Sequence, residues 1–402
     1  MSLPSLTTET APVPGALMAL PLTASTVAQP GPPSGTVMAY TQGLRGFASE
    51  HEQMTRMEVV RRLARLKGCA IGDEFAQPQA TTAGPVYLVP SDTLVGCERA
   101  AALGVRGRDD LFGGVVPWAF VATKAISHPL VHPAAAAPEG WNPDFHPAVT
   151  GAVLKGYTAF ARADALQAGA LLLAEGALRV KPVRETGGRG QTVVRNAAAL
   201  RECLERMPDE VLERDGVVLE QNLEQVETLS VGQVHVAGIT ATYYGTQRLV
   251  RNNKGDEVYG GSALTVVRGD FDALLAHELP PAVRTAVEQA LVYDSAATAC
   301  YPGFFASRIN YDIAQGLDAA RCWQSGVLEQ SWRAGGATGA EIAALEVLRR
   351  DPACHSVRTR CLEVYGADAK APAGATLYFQ GIDDHVGPLT KYAEVVPDGD
   401  AA

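Results

Sequence analysis

The sequence predicts an α/β (α+β) fold in which a small parallel sheet precedes a larger, mainly antiparallel one. Two observations lead to this prediction. Strand and helix patterns alternate in the first third of the chain, as they do in parallel α/β layers. Short β-rich runs separated by Gly and Asn turns then fill residues 228–268, which is typical of an antiparallel meander.

The alternating elements begin after a stretch without periodicity. Residues 1–35 are rich in Pro, Thr, Ser and Ala, and we predict a disordered tail there. Ser49 with Glu52 three residues later has the spacing of a capping box, and Gly68 ends the helical periodicity. The elements predicted for an N-terminal α/β domain over residues 36–130 are a strand at 36–40, the helix from Ser49 to Gly68, a strand at 86–89 and a helix at 98–103.

Strands outnumber helices in the rest of the chain. We assign residues 131–222 to a linker and a hairpin-rich lid subdomain, and residues 223–402 to a C-terminal sheet domain. The segment 133–147 is punctuated by prolines and is predicted to be a loop. Beyond the meander, the predicted elements are helices at 161–173, 197–207, 281–298 and 339–350, and strands at 178–183, 191–195, 216–220, 304–313 and 326–331.

The charge balance argues against some classes of partner. With 44 acidic and 34 basic residues the net charge is −10, so the chain has no general attraction for nucleic acid or anionic lipid. Seven cysteines without a CxxC pair indicate neither a zinc site nor a disulfide framework. No apolar run is long enough to span a bilayer, and the first basic residue is Arg45, which does not suit a secretory signal. We therefore predict a cytoplasmic protein without nucleic-acid or membrane partners.

A glycine-rich loop is the most informative local pattern. The strand that ends near Lys181 runs into a loop containing Gly187, Gly188 and Gly190, and then returns as a strand. Glycines let backbone N–H groups converge on phosphate oxygens, and a lysine at the strand end adds a compact positive charge. The spacing fits neither a P-loop nor a Rossmann fingerprint. An ordinary glycine-rich hairpin beside a surface lysine is the alternative interpretation.

The run KPVRETGGRGQTVV, followed by GVVLEQNL and ETLSVGQVHVAG, resembles the central cassette of the ATP-grasp ligases. The resemblance covers about residues 115–350, and the whole chain is similar to an uncharacterised ATP-grasp-like family with no assigned reaction. It implies that a lysine and a glycine loop cover the triphosphate, that a short hinge binds adenine, and that an acid binds ribose. The corresponding residues here are Lys124, Lys181, Gly187, Gly188 and Gly190 for the phosphates, Glu220, Gln221 and Leu223 for adenine, and Glu227 for ribose.

The same resemblance implies a magnesium site on two later strands. Asp312 and Glu329 stand where the family places its metal-binding acids, and hard cations prefer such oxygen ligands. Ser331 departs from the family pattern, because a hydroxyl replaces the usual asparagine amide. Arg333 stands where the family often has an arginine that faces the transferred phosphoryl group, and Arg308 is a second candidate catalytic residue. A salt bridge between edge strands is the alternative interpretation of these charges.

These residues together favour an ATP- and Mg²⁺-dependent enzyme that activates a carboxylate as an acyl phosphate. A ligase that joins a small-molecule carboxylate to an amine or thiol acceptor is the first prediction. Ser331 favours an alternative, a catalytically weak nucleotide-binding or regulatory protein. A small-molecule kinase, which would phosphorylate its substrate without ligation, is the third.

Overall fold

The computed structural model describes residues 34–41, 49–73, 84–185 and 190–397, which all belong to one compact unit. Most of the predicted N-terminal tail and the tip of the glycine loop, with Gly187 and Gly188, lie outside these residues. The domain boundaries predicted at residues 130 and 222 stay predictions. Within the described residues, no helix combines the length and apolarity that a membrane span requires.

The strands and helices follow one another in the order that the alternating patterns indicate. The first part contains β1 (Thr36–Tyr40), α1 (Glu50–Lys67), β2 (Ala70–Ile71), β3 (Val86–Pro90), β4 (Leu94–Val95), α2 (Cys97–Ala102), β5 (Gly114–Val116), 3₁₀ helices at Ala119–Ala122 and Lys124–Ser127, and α3 (Phe145–Val149). The middle part contains β6 (Gly156–Ala159), α4 (Arg162–Leu173), β7 (Leu178–Pro182), β8 (Thr192–Val194), α5 (Ala197–Glu205), α6 (Asp209–Asp215) and β9 (Val217–Gln221). The last part contains β10 (Glu224–Val236), β11 (Ile239–Arg251), β12 (Glu257–Arg268), α7 (Phe271–Leu275), α8 (Pro281–Cys300), β13 (Phe305–Ala306), β14 (Arg308–Leu317), β15 (Trp323–Ser331), α9 (Thr338–Arg350), β16 (Ser356–Tyr365), β17 (Thr376–Asp383) and β18 (Gly387–Val395).

A parallel sheet in the order β2–β1–β3 opens the described chain, with α1 packed against β1. Gly68 ends α1 in the left-handed conformation at φ 66°, as its position predicts. The predicted capping box at the other end is wrong. The Ser49 side chain makes no capping hydrogen bond, because its hydroxyl lies 3.1 Å from Nδ1 of His51 instead.

The middle part folds into an antiparallel sheet in the order β6–β9–β7–β8. Helices α4 and α5 pack together, and both contribute to the apolar cluster of this sheet through Ala165, Ala168 and Leu200. Strand β9 lies between two neighbours, so both of its backbone edges are paired. This sheet therefore holds Lys181 of β7 and Glu220 of β9 on adjacent strands.

The largest sheet among the described residues has eight antiparallel strands in the order β15–β14–β10–β11–β12–β16–β18–β17. Alternate residues face opposite sides. On one side Val234 and Tyr243 pack in the cluster that contains α1 and α9, and on the other Val231 and Tyr311 pack in the cluster that contains α8. The meander predicted over residues 228–268 is its central part, β10 to β12.

A third small sheet joins distant parts of the chain. Its order is β13–β5–β4, so β5 lies between a strand just before it and a strand far along the sequence. The Ser307 hydroxyl donates to the Leu111 carbonyl at 2.5 Å across 196 residues, and the Gly114 N–H donates to the Trp332 carbonyl at 2.8 Å. The N-terminal part is therefore completed by residues from the C-terminal part.

The turn after β17 stabilises the contact between α1 and the sheet. The buried Asp383 carboxylate accepts hydrogen bonds from the backbone N–H groups of His51, His385 and Val386 at 3.3, 2.8 and 3.1 Å, and lies 3.1 Å from Nδ1 of His51. Burial alone would raise the pKa of Asp383, but these donors outweigh it and hold the pKa well below its ordinary value.

We expect Asp383→Asn to lower the free energy of unfolding at pH 7 by about 1–3 kcal/mol, because charge-assisted bonds are lost. The carboxylate's contribution is complete above its unfolded pKa of about 4 and is lost as the pH falls toward the folded-state value. Urea denaturation at pH 7 and at pH 3 should therefore show a gap between wild type and variant that shrinks in acid. Asp384→Asn, at the exposed neighbouring residue, is the control. A gap that does not change with pH would contradict this account.

Candidate functional site

A buried lysine meets a carboxylate where the chain passes between the two antiparallel sheets. Lys124 lies in the 3₁₀ helix that starts at residue 124, and only 4% of it is exposed. Its Nζ lies 2.7 Å from Oε2 of Glu329 on β15 and donates to the Glu185 carbonyl at 2.6 Å. Gln330, the next residue of β15, donates its side-chain amide to the carbonyls of Val121 and Thr123. Strand β15 thereby fixes the segment that carries Lys124.

A second buried lysine lies in the four-stranded sheet. Lys181 of β7 donates to Oε1 of Glu220 on β9, and Nε2 of His128 lies 3.0 Å from the other carboxylate oxygen. Lys181 is 2% exposed, and burial lowers its pKa while Glu220 opposes that shift. Burial also acts to raise the pKa of Glu220, but Lys181 and His128 outweigh it and lower that pKa. His128 was missed by the sequence analysis, because an isolated histidine carries no local signal.

The two lysines belong to one electrostatic cluster. The charges of Lys124 and Glu329 both act on the pKa of Lys181, the first lowering it and the second raising it. In the part of the chain that the structure describes, these are the lysines that the fold buries. Lysine is rarely buried unless it is paired, and groups whose pKa is shifted by burial and by a specific charged partner cluster at functional sites. The structure therefore brings together four predicted site residues: Lys124, Lys181, Glu220 and Glu329.

Asp312 lies on β14 beside Glu329. The Asp312 carboxylate accepts hydrogen bonds from Ser230, Gln247 and Asn310 at 3.2, 2.8 and 2.9 Å. Burial raises the pKa of Asp312, and the neighbouring charge of Glu329 raises it further. A buried carboxylate beside a second one provides a setting for a cation.

A β-bulge sets the relation between these carboxylates. Asp312 is the direct cross-strand partner of Glu329, whereas Ile313 pairs with Val327, so Leu328 is an extra residue on β15. Directly opposed residues of an antiparallel pair share a face, which places Asp312 and Glu329 on one side.

The donor set of this face suits Mg²⁺. No group of three or more His, Cys, Asp or Glu side chains with metal-binding geometry occurs in residues 34–41, 49–73, 84–185 or 190–397. Magnesium is commonly held by one or two carboxylates together with substrate phosphates. The pair Asp312 and Glu329 fits that mode of binding, and it does not fit an all-protein cage.

Arg308, the second candidate catalytic residue, lies in the core. It is 1% exposed and forms an ion pair with Glu341 of α9, which is 0% exposed. Its Nη1 donates to the carbonyls of Ser331 and Arg333 and lies 3.2 Å from the Ser331 hydroxyl. The guanidinium is thus committed to partners in the core, and the predicted catalytic role of Arg308 stays a prediction.

Arg333 lies at the end of β15, closer to solvent. Its side chain is 30% exposed, and its Nε lies 3.4 Å from Oδ1 of Asp92, in the loop after β3. This residue faces the carboxyl end of the parallel sheet. Its predicted role at the phosphoryl group stays a prediction.

The residues predicted to bind adenine and ribose lie where the end of β9 leads into β10. The Gln221 N–H donates to the Lys155 carbonyl at 2.8 Å, and Leu223 is buried in a cluster with Leu154 and Ala314. Glu227 is exposed on β10. Their predicted contacts with a nucleoside stay predictions. Of the three predicted loop glycines, Gly190 is described, and it adopts φ 68°.

The comparisons with known proteins agree with this architecture. The model of a family described as "Protein of unknown function (DUF3182)" matches residues 39–393. No curated protein matches the sequence significantly. N5-carboxyaminoimidazole synthetase from Staphylococcus aureus, complexed with ADP, superimposes with a TM-score of 0.53 at 11% identity, over 92% of this chain and 95% of that one. A biotin carboxylase–beta-gamma-ATP complex from Campylobacter jejuni gives 0.50 at 10% identity, over 90% and 87%. At these identities the likeness concerns the fold, and the predicted ATP-grasp fold is confirmed.

Proposed function

The chain belongs to the DUF3182 family, whose description leaves the function unknown, and we propose that it binds ATP with Mg²⁺ and activates a carboxylate. The observation that carries this proposal is the pair of buried lysines, Lys124 and Lys181, each held by a carboxylate in one cluster. Of the two structures with the same fold, the synthetase is a complex with ADP and the biotin carboxylase is a beta-gamma-ATP complex. These complexes support a nucleotide as the ligand of the lysine cluster.

Nucleotide binding would exchange the partners of the lysines. Lys124 and Lys181 now face Glu329 and Glu220, so their charges are compensated without a ligand. Phosphate oxygens offer the same charge-assisted hydrogen bonds. Lys124 donates to the Glu185 carbonyl, at the start of the glycine loop, and a contact of this kind would tie the loop to the bound triphosphate.

The proposed reaction has two steps. A carboxylate oxygen of the substrate attacks the γ-phosphorus of ATP, an O–P bond forms, and the bond to the β,γ-bridging oxygen breaks to release ADP. An amine or thiol then attacks the acyl carbon, loses its proton, and displaces phosphate. Lys124 and Lys181 would offset the charge on the phosphoryl oxygens during the first step, and burial strengthens that interaction.

Asp312 and Glu329 would hold Mg²⁺ at this site. When bound, the ion neutralises charge on the β- and γ-phosphates. Ser230, Gln247 and Asn310 donate to the Asp312 carboxylate and so fix its orientation.

A second candidate function is a nucleotide-binding protein with little or no turnover. Ser331 supports it, because its hydroxyl accepts a hydrogen bond from Arg308 and offers a weaker metal ligand than an amide oxygen. Measuring ADP and phosphate release with a panel of carboxylic acids, each with and without amines and thiols, separates the two. Acid-dependent release of both products supports the ligase. Nucleotide binding without release under any condition supports the second candidate.

We expect Lys124→Met and Lys181→Met each to weaken Mg-ATP binding by about 10- to 100-fold, since each removes a charge-assisted contact of about 1.5–3 kcal/mol. Isothermal titration calorimetry measures the affinity directly. Lys155→Met is the matched control, because Lys155 also pairs with a glutamate, Glu175, but both side chains are about half exposed. Unchanged affinity in both folded variants would show that these lysines do not contact the nucleotide.

A further inference from the structure

We propose that Tyr243, Glu341 and Arg308 form a buried hydrogen-bonded network that positions Asp312 and Ser331 for the metal. This inference rests on the proposed function, and it assigns a role to three side chains that do not themselves lie among the metal ligands. They are positioning residues, because each acts through another side chain.

One arm of the network reaches Asp312. The Tyr243 hydroxyl on β11 lies 3.0 Å from Oδ1 of Asn310, and the Asn310 amide donates to Oδ1 of Asp312 at 2.9 Å. The same hydroxyl lies 2.6 Å from Oε1 of Glu341. Both oxygens are acceptors and the hydroxyl has one proton, so Tyr243 contacts the α9 carboxylate and the Asn310 side chain as a shared donor, and it thereby links Glu341 to the side chain that orients Asp312.

The other arm reaches Ser331. The Arg308 guanidinium donates from Nε and Nη2 to Glu341 at 3.0 and 2.7 Å. Its Nη1 donates to the Ser331 carbonyl at 3.0 Å and lies 3.2 Å from the Ser331 hydroxyl. Glu341 is thus the common partner of both arms, and a shift of its carboxylate would move both candidate metal ligands.

A glycine in the sheet, Gly232, leaves space for this network. Gly232 on β10 is the cross-strand partner of Tyr243 on one side and of Asn310 on the other. A Cβ on Gly232 would lie 2.3 Å from the Tyr243 hydroxyl oxygen. Any larger residue at this position would fill the space through which Tyr243 reaches Asn310.

The cost of burial argues that the network does more than stabilise the fold. Arg308 and Glu341 are almost fully buried, and desolvation of such a pair offsets much of its attraction. An apolar pair would fill the same volume with similar or greater stability. An apolar pair could not orient the side chains of Asn310 and Ser331. Glu341 contacts Asn310 through Tyr243, and Arg308 contacts the Ser331 hydroxyl directly.

The test is Tyr243→Phe, which removes the hydroxyl that joins the arms and keeps the ring. The probe is Mn²⁺, titrated by electron paramagnetic resonance in the presence of a non-hydrolysable ATP analogue. We expect about 10-fold weaker Mn²⁺ binding, as is typical when a group that orients a metal ligand is lost. Affinity for the analogue without metal should not change.

Tyr311→Phe is the matched control. Its hydroxyl is equally buried, donates to Asp294 at 2.7 Å and accepts from the Trp332 indole at 3.2 Å, but it packs on the opposite side of the sheet. We expect Tyr311→Phe to bind Mn²⁺ as the wild type does. Thermal melts of both variants report any general loss of structure.

Each outcome decides the inference. Wild-type Mn²⁺ affinity in Tyr243→Phe overturns it, and so does equal weakening in both phenylalanine variants, which would indicate a general effect on the fold. If Tyr243→Phe does not fold, Asn310→Ser, which withdraws the amide from Asp312, must show the same weakening of Mn²⁺ binding.

A wild-type protein that binds neither the analogue nor Mn²⁺ overturns the proposed function. Intact wild-type binding together with an unaffected Tyr243→Phe overturns the network alone.

Discussion

Replacing Glu329 with Gln, or Asp312 with Asn, is expected to reduce ATP turnover by about a hundredfold or more while changing nucleotide affinity much less. Each amide keeps the shape of the carboxylate and removes its charge, and the two lie opposite each other across β14 and β15. Their main benefit arises as charge develops on the transferring phosphoryl group, so the loss should appear in kcat. The measurements are ADP release with a responsive carboxylic acid, and calorimetric ATP binding.

The fold should tolerate Asp312→Asn. Burial and Glu329 raise the pKa of Asp312, so a neutral Asn relieves an unfavourable charge. Glu224→Gln is the control, since Glu224 is an exposed β10 residue paired at the surface with Arg321. Full turnover in both Glu329→Gln and Asp312→Asn would make these carboxylates structural and would contradict their proposed place at the metal.

Breaking the buried ion pair is expected to have the largest effect on stability. Arg308→Met should lower the free energy of unfolding by about 3–5 kcal/mol, because it leaves Glu341 charged and buried without its main partner. Combining it with Glu341→Leu should recover much of that loss, since no charge then remains to be desolvated. Urea denaturation followed by circular dichroism measures all three proteins.

The control for this prediction is Arg360→Met. Arg360 pairs with Glu394 at 2.6 Å across β16 and β18, but the arginine is 40% exposed, so its loss should cost less than about 1 kcal/mol. Two results would contradict the prediction. One is an Arg308→Met variant as stable as Arg360→Met, and the other is a double variant that is less stable than the single one.

Regular elements with strong periodicity could be predicted from the sequence. The helices predicted at 281–298 and 339–350 are α8 and α9, and the meander strands are β10 to β12. The hairpins β16 to β18 were not predicted. In Ser356–Tyr365 charged Arg358 and Arg360 interrupt the aliphatic residues, and the strand is only partly buried on either side, so the two-residue alternation is weak.

Site residues could be predicted from the sequence only where they belong to a local sequence pattern. Lys181 at a strand end and the glycines after it form such a pattern, whereas the pairing of Glu220 with His128, 92 residues away, depends on the topology. Arg308 shows that such a pattern can also include a buried, paired residue. It stands two residues before Asn310 and four before Asp312, a spacing that resembles an active-site motif. Its partner Glu341 lies on α9, and the periodicity of the sequence predicts that helix but not the contact between the two side chains.

The pairing of β5 with β13 has a consequence for synthesis of the protein. A nascent chain that has left the ribosome as far as residue 300 already contains β4 and β5, but not the strand that completes their sheet or the Trp332 carbonyl that Gly114 contacts. The N-terminal part can therefore finish folding only after most of the chain has been translated. A prematurely terminated product would therefore leave one edge of β5 unpaired.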